Sequence, residues 1–352
     1  MKKINVYIKN GRLEKGLKTR ELAQMMQIDQ ALISKFENGN RMPTRNQVMQ
    51  LSDILDLDVE EMLVLWTKEK ILKEINPYDL IDQKAISMVQ EEIAAYGFAD
   101  KLPLNPSLQK ILNEIDDYKE KIDALRHLDS FRIAETLELE YTYESNKIEG
   151  NTLTLQETNL VVHKGLTISG KSMQEHLEAI NHIEAIDYIK DLATKKIEIS
   201  EREILAIHHL ILMKIDSSYA GKYRNVSVVI TGSTHLPPQP YLVPKQMEDL
   251  LLWYIENKNK LHPVVLAAEM HLRLVTIHPF IDGNGRTSRL LMNLIMIKHG
   301  YPIANIKGDD ENRMKYYSAL EKSQTKNDDS DFLLFVANTA LESIKRFHFI
   351  LS

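Results

Sequence analysis

The chain has no cysteine, which excludes disulfides and thiolate zinc sites and fits a reducing compartment without requiring one. No apolar run approaches the ~18 residues that a membrane span needs, so no membrane partner is expected. Met1-Lys2-Lys3 is followed by no apolar stretch of signal-peptide type, and the cytoplasm is the default location. Internal repeats and low-complexity tracts are missing too. What remains has an ordinary globular composition, and 352 residues leave room for two or three domains with a substantial core. The net charge of −6 is unevenly spread. Residues 1–45 carry ten Lys/Arg against four Asp/Glu, a local +6, which leaves −12 on the remainder. A basic head on an acidic body suggests that the head meets an anionic partner such as nucleic acid.

Residues 5–65 read as five short helices. Gly16 closes the first. Thr19 is placed to cap the second, with Leu22, Ala23 and Met26 on one face. Asp29 is placed to cap the third, whose buried side is Leu32, Ile33 and Phe36, and Asn38-Gly39 ends it. Two short helices around the tight turn Gln27-Ile28-Asp29 form the helix-turn-helix pattern, whose second helix enters the major groove. The run Leu22-Ala23, Ile33-Ser34-Lys35-Phe36-Glu37-Asn38-Gly39 and Arg41-Met42-Pro43 resembles the phage-repressor/XRE type of helix-turn-helix domain. That resemblance implies base reading by Gln30, Ala31 and Ser34, with Lys35 and Arg41 near phosphates. It departs from the family at Thr19, where a Gln is usual. Phosphate contacts dominate such affinity, and dimers double them, so DNA binding implies a homodimer.

The head is assigned to residues 1–66 and a helical linker to 67–106. Gln90 to Tyr96 is a further helix candidate in that linker, and Gly97 to Pro106 breaks regular structure at its end. From Ser107 onward the pattern is nearly all helical. The exception is 222–244, where Val226-Ser227-Val228-Val229-Ile230 reads as a strand and Gly232 to His235 as a turn. Leu236 to Tyr241 returns as an extended, proline-rich segment, giving a β-hairpin flap. His208 and His209 are adjacent, point apart, and make a poor metal pair.

The densest chemistry lies in His278-Pro279-Phe280-Ile281-Asp282-Gly283-Asn284-Gly285-Arg286-Thr287-Ser288-Arg289. It joins two apolar helical runs. Pro279 ends the first, and Gly283 and Gly285 permit a tight turn and close approach of backbone N–H groups to a ligand. The second helix starts near Gly285. Its N-terminus, with Arg286 and Arg289, makes an anion site suited to phosphate. His278 stands at the rim as a proton acceptor, and Asp282 is a carboxylate placed to hold magnesium beside phosphates.

These twelve residues resemble the signature of the Fic family, H-P-F-x-[DE]-G-N-G-R-x-x-R, without departure, and the resemblance extends over roughly residues 107–350. It implies a mainly helical domain, here 107–352, that transfers AMP from ATP to a Ser, Thr or Tyr hydroxyl of a target protein, either another chain or itself. Under that resemblance His278 is the general base and Phe280 packs inward to hold the loop. Asp282 binds Mg2+, and Gly283, Asn284 and Gly285 cradle phosphates through backbone N–H groups and the Asn side chain. Arg286 neutralises the β- and γ-phosphates, and Arg289 pairs with the γ-phosphate. Tyr317 is a candidate adenine contact. Val226, Val228 and Ile230 of the flap register the target by strand addition. Ser145-x-x-x-Glu149-Gly150-Asn151, closing a helix placed at 131–151, resembles the family's inhibitory motif, and Glu149 is expected to occupy Arg289. The residues leave two other readings open. One is a regulator that senses a nucleotide without catalysis. The other is the same core with different chemistry, such as AMP removal or transfer of UMP or phosphate.

Overall fold

The computed structural model describes residues 3–76, 79–86, 105–125 and 131–352. The chain divides into two compact units, residues 1–101 and 102–352. The helix expected at Gln90 to Tyr96, and most of the break at Gly97 to Pro106, lie outside the described residues.

The first unit is built from α1 (Ile4–Glu14), α2 (Thr19–Met25), α3 (Gln30–Glu37), α4 (Arg45–Leu55) and α5 (Val59–Glu74). Each start has a local cause. Asp29 accepts from Ala31 N–H ahead of α3, Thr44 and Gln47 form a capping box at α4, and Asp58 caps α5. Thr19 does not cap α2. Lys18 occupies the cap position, and the Thr19 hydroxyl instead accepts from Gln30 Nε2 at 3.1 Å. One apolar cluster, including Ile8, Leu22, Ile33, Phe36, Leu51 and Met62, fills the space between the helices. A bidentate ion pair crosses it, with Arg12 Nε 2.5 Å and Nη2 2.8 Å from the two oxygens of Glu37, both residues buried. Trp66 donates to Pro43 O at 2.8 Å, and α5 runs on to Glu74, so the boundary drawn after residue 66 falls inside a continuous helix.

The second unit contains α6 (Pro106–Leu125), α7 (Phe131–Ile148), α8 (Leu155–Lys164), α9 (Met173–Thr194), α10 (Glu201–Leu212), α11 (Val243–Asn257), α12 (Pro263–Ile277), α13 (Asn284–Lys298), α14 (Asp310–Lys326) and α15 (Ser330–Leu351). α12 and α13 are buried nearly all round, as expected of helices at the centre of a bundle. They pack on each other. α9 and α10 lie against α13, and α11 and α15 against α12. Capping boxes at Thr154/Glu157 and Ser172/Glu175 start α8 and α9.

The β-hairpin is not formed. Residues 226–239 contain no strand; they run as an irregular segment, a turn at 231–232 and a second irregular segment. Ser233 N–H bonds to Ile230 O across the turn, but no ladder follows. Pro237, Pro238 and Pro240 remove the donors that a ladder would need.

Because the Arg12–Glu37 pair is buried, truncating one member strands the other charge. Glu37→Ala is expected to destabilise the first unit by about 3 kcal/mol. Urea unfolding followed by Trp66 fluorescence, with Trp253 replaced by Phe, measures this. A loss under 1 kcal/mol would mean that water replaces the carboxylate.

Candidate active site

The buried helix pair α12–α13 sets the site. α12 ends at His278, whose φ of 51° is left-handed, a conformation that costs a non-glycine residue about 1 kcal/mol. Nδ1 of the half-buried ring donates to Val275 O at 3.3 Å, so Nε2 of the neutral ring is the acceptor. Burial pushes the His278 pKa down; Arg224 and His235 act with it, and the Val275 carbonyl and Glu149 act against it. The ring is therefore neutral at pH 7, ready to take a proton.

The following loop is held from both sides. Phe280 is fully buried and stacks on His208 of α10, centroids 3.6 Å apart and planes within 6°. His208 accepts from Gly221 N–H at Nδ1 (3.0 Å) and donates from Nε2 to Asp282 O (3.0 Å). Burial pushes this ring down to about 4, and the Asp282 carbonyl works the other way. His208 is thus a structural pillar and not a metal ligand. Nothing in its sequence neighbourhood marks that role, because the contact comes from 74 residues away. Asn284 brackets the loop. Its Oδ1 accepts from Phe280 N–H at 2.9 Å and its Nδ2 donates to Phe280 O at 3.0 Å. The Asn284 side chain therefore braces the Phe280 backbone, a role the sequence did not suggest.

Gly283 has φ 78° and begins α13, whose first-turn N–H groups lack helical partners. Gly285 lies inside the helix, so its role is not a turn. A Cβ there would sit 2.4 Å from Glu149 Oε1 and 3.0 Å from Arg289 Nη1. Glycine at this position leaves room for a carboxylate beside the helix start.

The two arginines meet different partners. Arg289 is 1% exposed. Nε donates to Ser145 Oγ (3.0 Å), and Nη2 donates to Ser145 O (2.9 Å) and Glu149 Oε1 (2.6 Å). Burial is the largest single influence and works against this charge; Glu149, Tyr316 and Tyr141 together outweigh it and raise the pKa. Nη1 has no hydrogen-bond partner. Arg286, equally buried, lies 3.2 Å from Asp282 Oδ2 and 3.4 Å from Glu178 Oε1 on α9. Asn151 reaches the same Glu178 at 2.9 Å, and Glu175 binds Thr152 N–H at 2.9 Å. The turn after Glu149 is thereby pinned to α9. Glu178 is a partner that sequence reasoning missed.

A cavity of about 780 Å³ opens here, lined by Glu149, Ile230, His278, Gly285, Arg289 and Tyr317 among others. Tyr317 donates its hydroxyl to Ile148 O at 3.2 Å. Asp282, Gly283, Asn284, Arg286, Val226 and Val228 lie outside that lining. The Asp282 side chain is 61% exposed, with Oδ1 accepting from Gly283 N–H and Oδ2 facing Arg286. A single open carboxylate is a fitting donor for a magnesium ion that keeps water and phosphate as its other ligands. Among the described residues no three His, Asp or Glu gather to hold a metal by themselves.

The irregular segment 226–239 is fastened to the site. Arg224, 3% exposed, donates to His278 O, Val226 O and Pro238 O. Ser233 and Thr234 bond to Glu321 of α14, and His235 Nε2 donates to Thr276 O. Val226 and Val229 are exposed, whereas Val228 and Ile230 are half-buried. In the first unit Gln30, Ala31, Lys35 and Arg41 are exposed and Ser34 is half-buried.

Together these features define an all-helical domain in which a neutral histidine and a basic helix start share one cavity. Residues 198–296 match the Fic/DOC family and residues 8–62 a helix-turn-helix family. The chain is 36% identical over 240 residues to a protein adenylyltransferase Fic of Nematostella vectensis, covering 67% of this chain and 55% of that one. A Fic domain-containing signaling protein of Bacteroides thetaiotaomicron superposes with a TM-score of 0.59 at 30% identity, over 66% of this chain and 95% of its own. Fic-1 of C. elegans superposes with a TM-score of 0.61 at 27% identity, over 98% of this chain and 97% of that one. The chain belongs to the Fic/DOC family and carries a helix-turn-helix unit ahead of its Fic domain. It spans about half the length of the curated relatives it matches.

The buried neutral histidines give a pH dependence. The His208 pKa is lowered to about 4 and that of His271 to about 3, in both cases chiefly by burial, from an unfolded value of 6.5. The unfolded chain then binds more protons below pH 6.5. The stabilising contribution is present above pH 6.5 and is lost as pH falls toward 4. Each such histidine adds a slope of up to about 1.4 kcal/mol per pH unit. Thermal midpoints of the second unit are expected to fall between pH 6.5 and 4.5, and less steeply in His208→Gln. A flat profile over that range would contradict the neutral assignment.

Proposed function

We propose that the protein is a self-inhibited adenylyltransferase that moves AMP from ATP to a hydroxyl of a protein, with a DNA-binding head. The observation that carries this reading is the shared cavity, where the His278 acceptor faces the same space as Arg289 and the start of α13. The triphosphate would lie against the first turn of α13, with Arg289 and Arg286 as its cationic partners. A target hydroxyl attacks the α-phosphorus. The new O–P bond forms as the bond to pyrophosphate breaks, and the hydroxyl proton passes to His278 Nε2. Asp282 would hold Mg2+, which supplies charge neutralisation for the phosphates when bound. Tyr317, on the cavity wall, is a candidate base contact. The segment 226–230, with Val226, Val228 and Ile230, would register the target by main-chain pairing.

Glu149 supplies the inhibition. Its carboxylate sits 2.6 Å from Arg289 and against Gly285, so it takes the place and the partner of a terminal phosphate. Ser145 and Asn151 hold the turn that presents it. In the head, the exposed start of α3 with Gln30 and Ala31, flanked by Ser34, Lys35 and Arg41, would face DNA, and two copies would be needed for affinity.

Glu149→Gly is expected to raise transfer of α-phosphate label to protein by at least about 10-fold, since it removes the charge-assisted partner of the buried Arg289 and frees that arginine for phosphate. His278→Ala in that background should lower labelling by about 100-fold or more while ATP still binds. Equal labelling by wild type and Glu149→Gly would remove the inhibitory role, and undiminished labelling by His278→Ala would remove the base. For the head, Lys35→Ala should weaken binding to all duplexes alike and reduce the salt slope by about one. A loss confined to one sequence would reassign Lys35 to base reading.

A further inference from the structure

We propose that Arg224 is a positioning residue for the transfer, a tie that sets the target-registering segment and the base His278 in one fixed relation. The inference rests on the adenylyltransferase reading and names a residue that reading does not use. Arg224 is 3% exposed, and no carboxylate pairs with it among the described residues. Burying a guanidinium without a counter-ion is costly, so its N–H groups must be well satisfied. They are satisfied by three backbone carbonyls. Nε donates to His278 O at 2.8 Å, Nη1 to Val226 O at 3.1 Å and Nη2 to Pro238 O at 2.6 Å. Its own backbone N–H donates to Pro279 O at 2.9 Å.

The two arms of the irregular segment thus converge on one planar fork whose third tine is the carbonyl of the base itself. No ladder of hydrogen bonds joins those arms, so the fork does the work that strand pairing does in a hairpin. His278 is also the residue whose left-handed backbone needs an outside constraint. A segment free to drift relative to His278 would still admit ATP but would misplace the attacking hydroxyl.

The test uses the full chain with Glu149→Gly, and follows self-labelling from α-labelled ATP across ATP concentrations. Adding Arg224→Gln is expected to lower the maximal rate by about 100-fold, the scale of a 1 Å misplacement. The ATP concentration for half-maximal rate should stay within about 3-fold, because the fork touches neither Arg289 nor the start of α13 and reaches the cavity only through the His278 backbone. Arg224→Lys, which keeps the charge but reaches fewer carbonyls, should fall between, and it carries the comparison if the Gln variant does not fold. An unchanged maximal rate overturns the proposal. So does a parallel loss of rate and ATP affinity, which would make Arg224 a general structural residue. If the Glu149→Gly parent does not label at all, the adenylyltransferase reading falls and this inference falls with it. If the parent labels and Arg224→Gln labels equally fast, only this inference falls.

Discussion

The desolvated charge of Arg289 is the constraint around which the second unit is arranged. A guanidinium 1% exposed has to be compensated, by a counter-ion or by a set of acceptors, because an uncompensated buried charge costs about 3–5 kcal/mol. Ser145 satisfies part of the fork through its hydroxyl and carbonyl, and Glu149 satisfies the charge. Glu149 itself is only partly buried, with its side chain 32% exposed at the wall of a cavity. The pair is therefore asymmetric. The arginine cannot leave, whereas the carboxylate borders open space and an anion of similar geometry can replace it. A resting state with Glu149 in place and a loaded state with phosphate in place would then satisfy the same buried cation.

The catalytic loop shows a second consequence of close packing. A six-residue connection with a left-handed histidine would be mobile if left to itself. Here the Phe280 ring is stacked on His208, the Phe280 backbone is bracketed by Asn284, the Asp282 carbonyl is held by His208, and the His278 carbonyl is held by Arg224. Each of these uses a polar group in a buried place where it must be satisfied. Loop rigidity and polar satisfaction are one requirement met by the same contacts. This is why two of the supporting residues, His208 and Arg224, carry no catalytic atoms of their own.

Helical periodicity, capping residues and the twelve-residue run made the helical fold and the central site readable from sequence, since both are encoded locally. Asp29 caps where expected, and the Glu149–Arg289 contact follows from two recognisable segments. Three things were not readable. Thr19 has the chemistry of a cap, yet its hydroxyl is taken by Gln30 from the next helix. Val226 to Ile230 has the β-branched pattern of a strand, but pairing depends on a partner segment that its prolines disable. Asn284 has an amide suited to phosphate, and nothing in the residue pattern shows that it also brackets the backbone of Phe280. In each case a nearby group competes for the same hydrogen bonds, and that competition is decided by tertiary distance, which no residue pattern records.

The remaining question is how the turn that carries Glu149 could, under the proposed inhibition, release Arg289 without dismantling the site. Asn151 binds Glu178, Glu175 binds Thr152, and Glu178 lies beside Arg286, so the turn is anchored to α9 through residues other than Glu149. Ser145 likewise keeps two hydrogen bonds to Arg289 that do not involve the carboxylate. When an incoming anion takes over the pairing with Arg289, displacing Glu149 requires a side-chain rotation of a partly exposed residue, at a rotamer cost of about 1 kcal/mol, and no helix need move. A tenfold shift in occupancy corresponds to about 1.4 kcal/mol. An interaction of modest strength elsewhere on the turn would thus suffice to move the balance between the two occupants. The proposed brake is set by one carboxylate and held ready by an anchored frame, so its strength is adjustable separately from the stability of the fold.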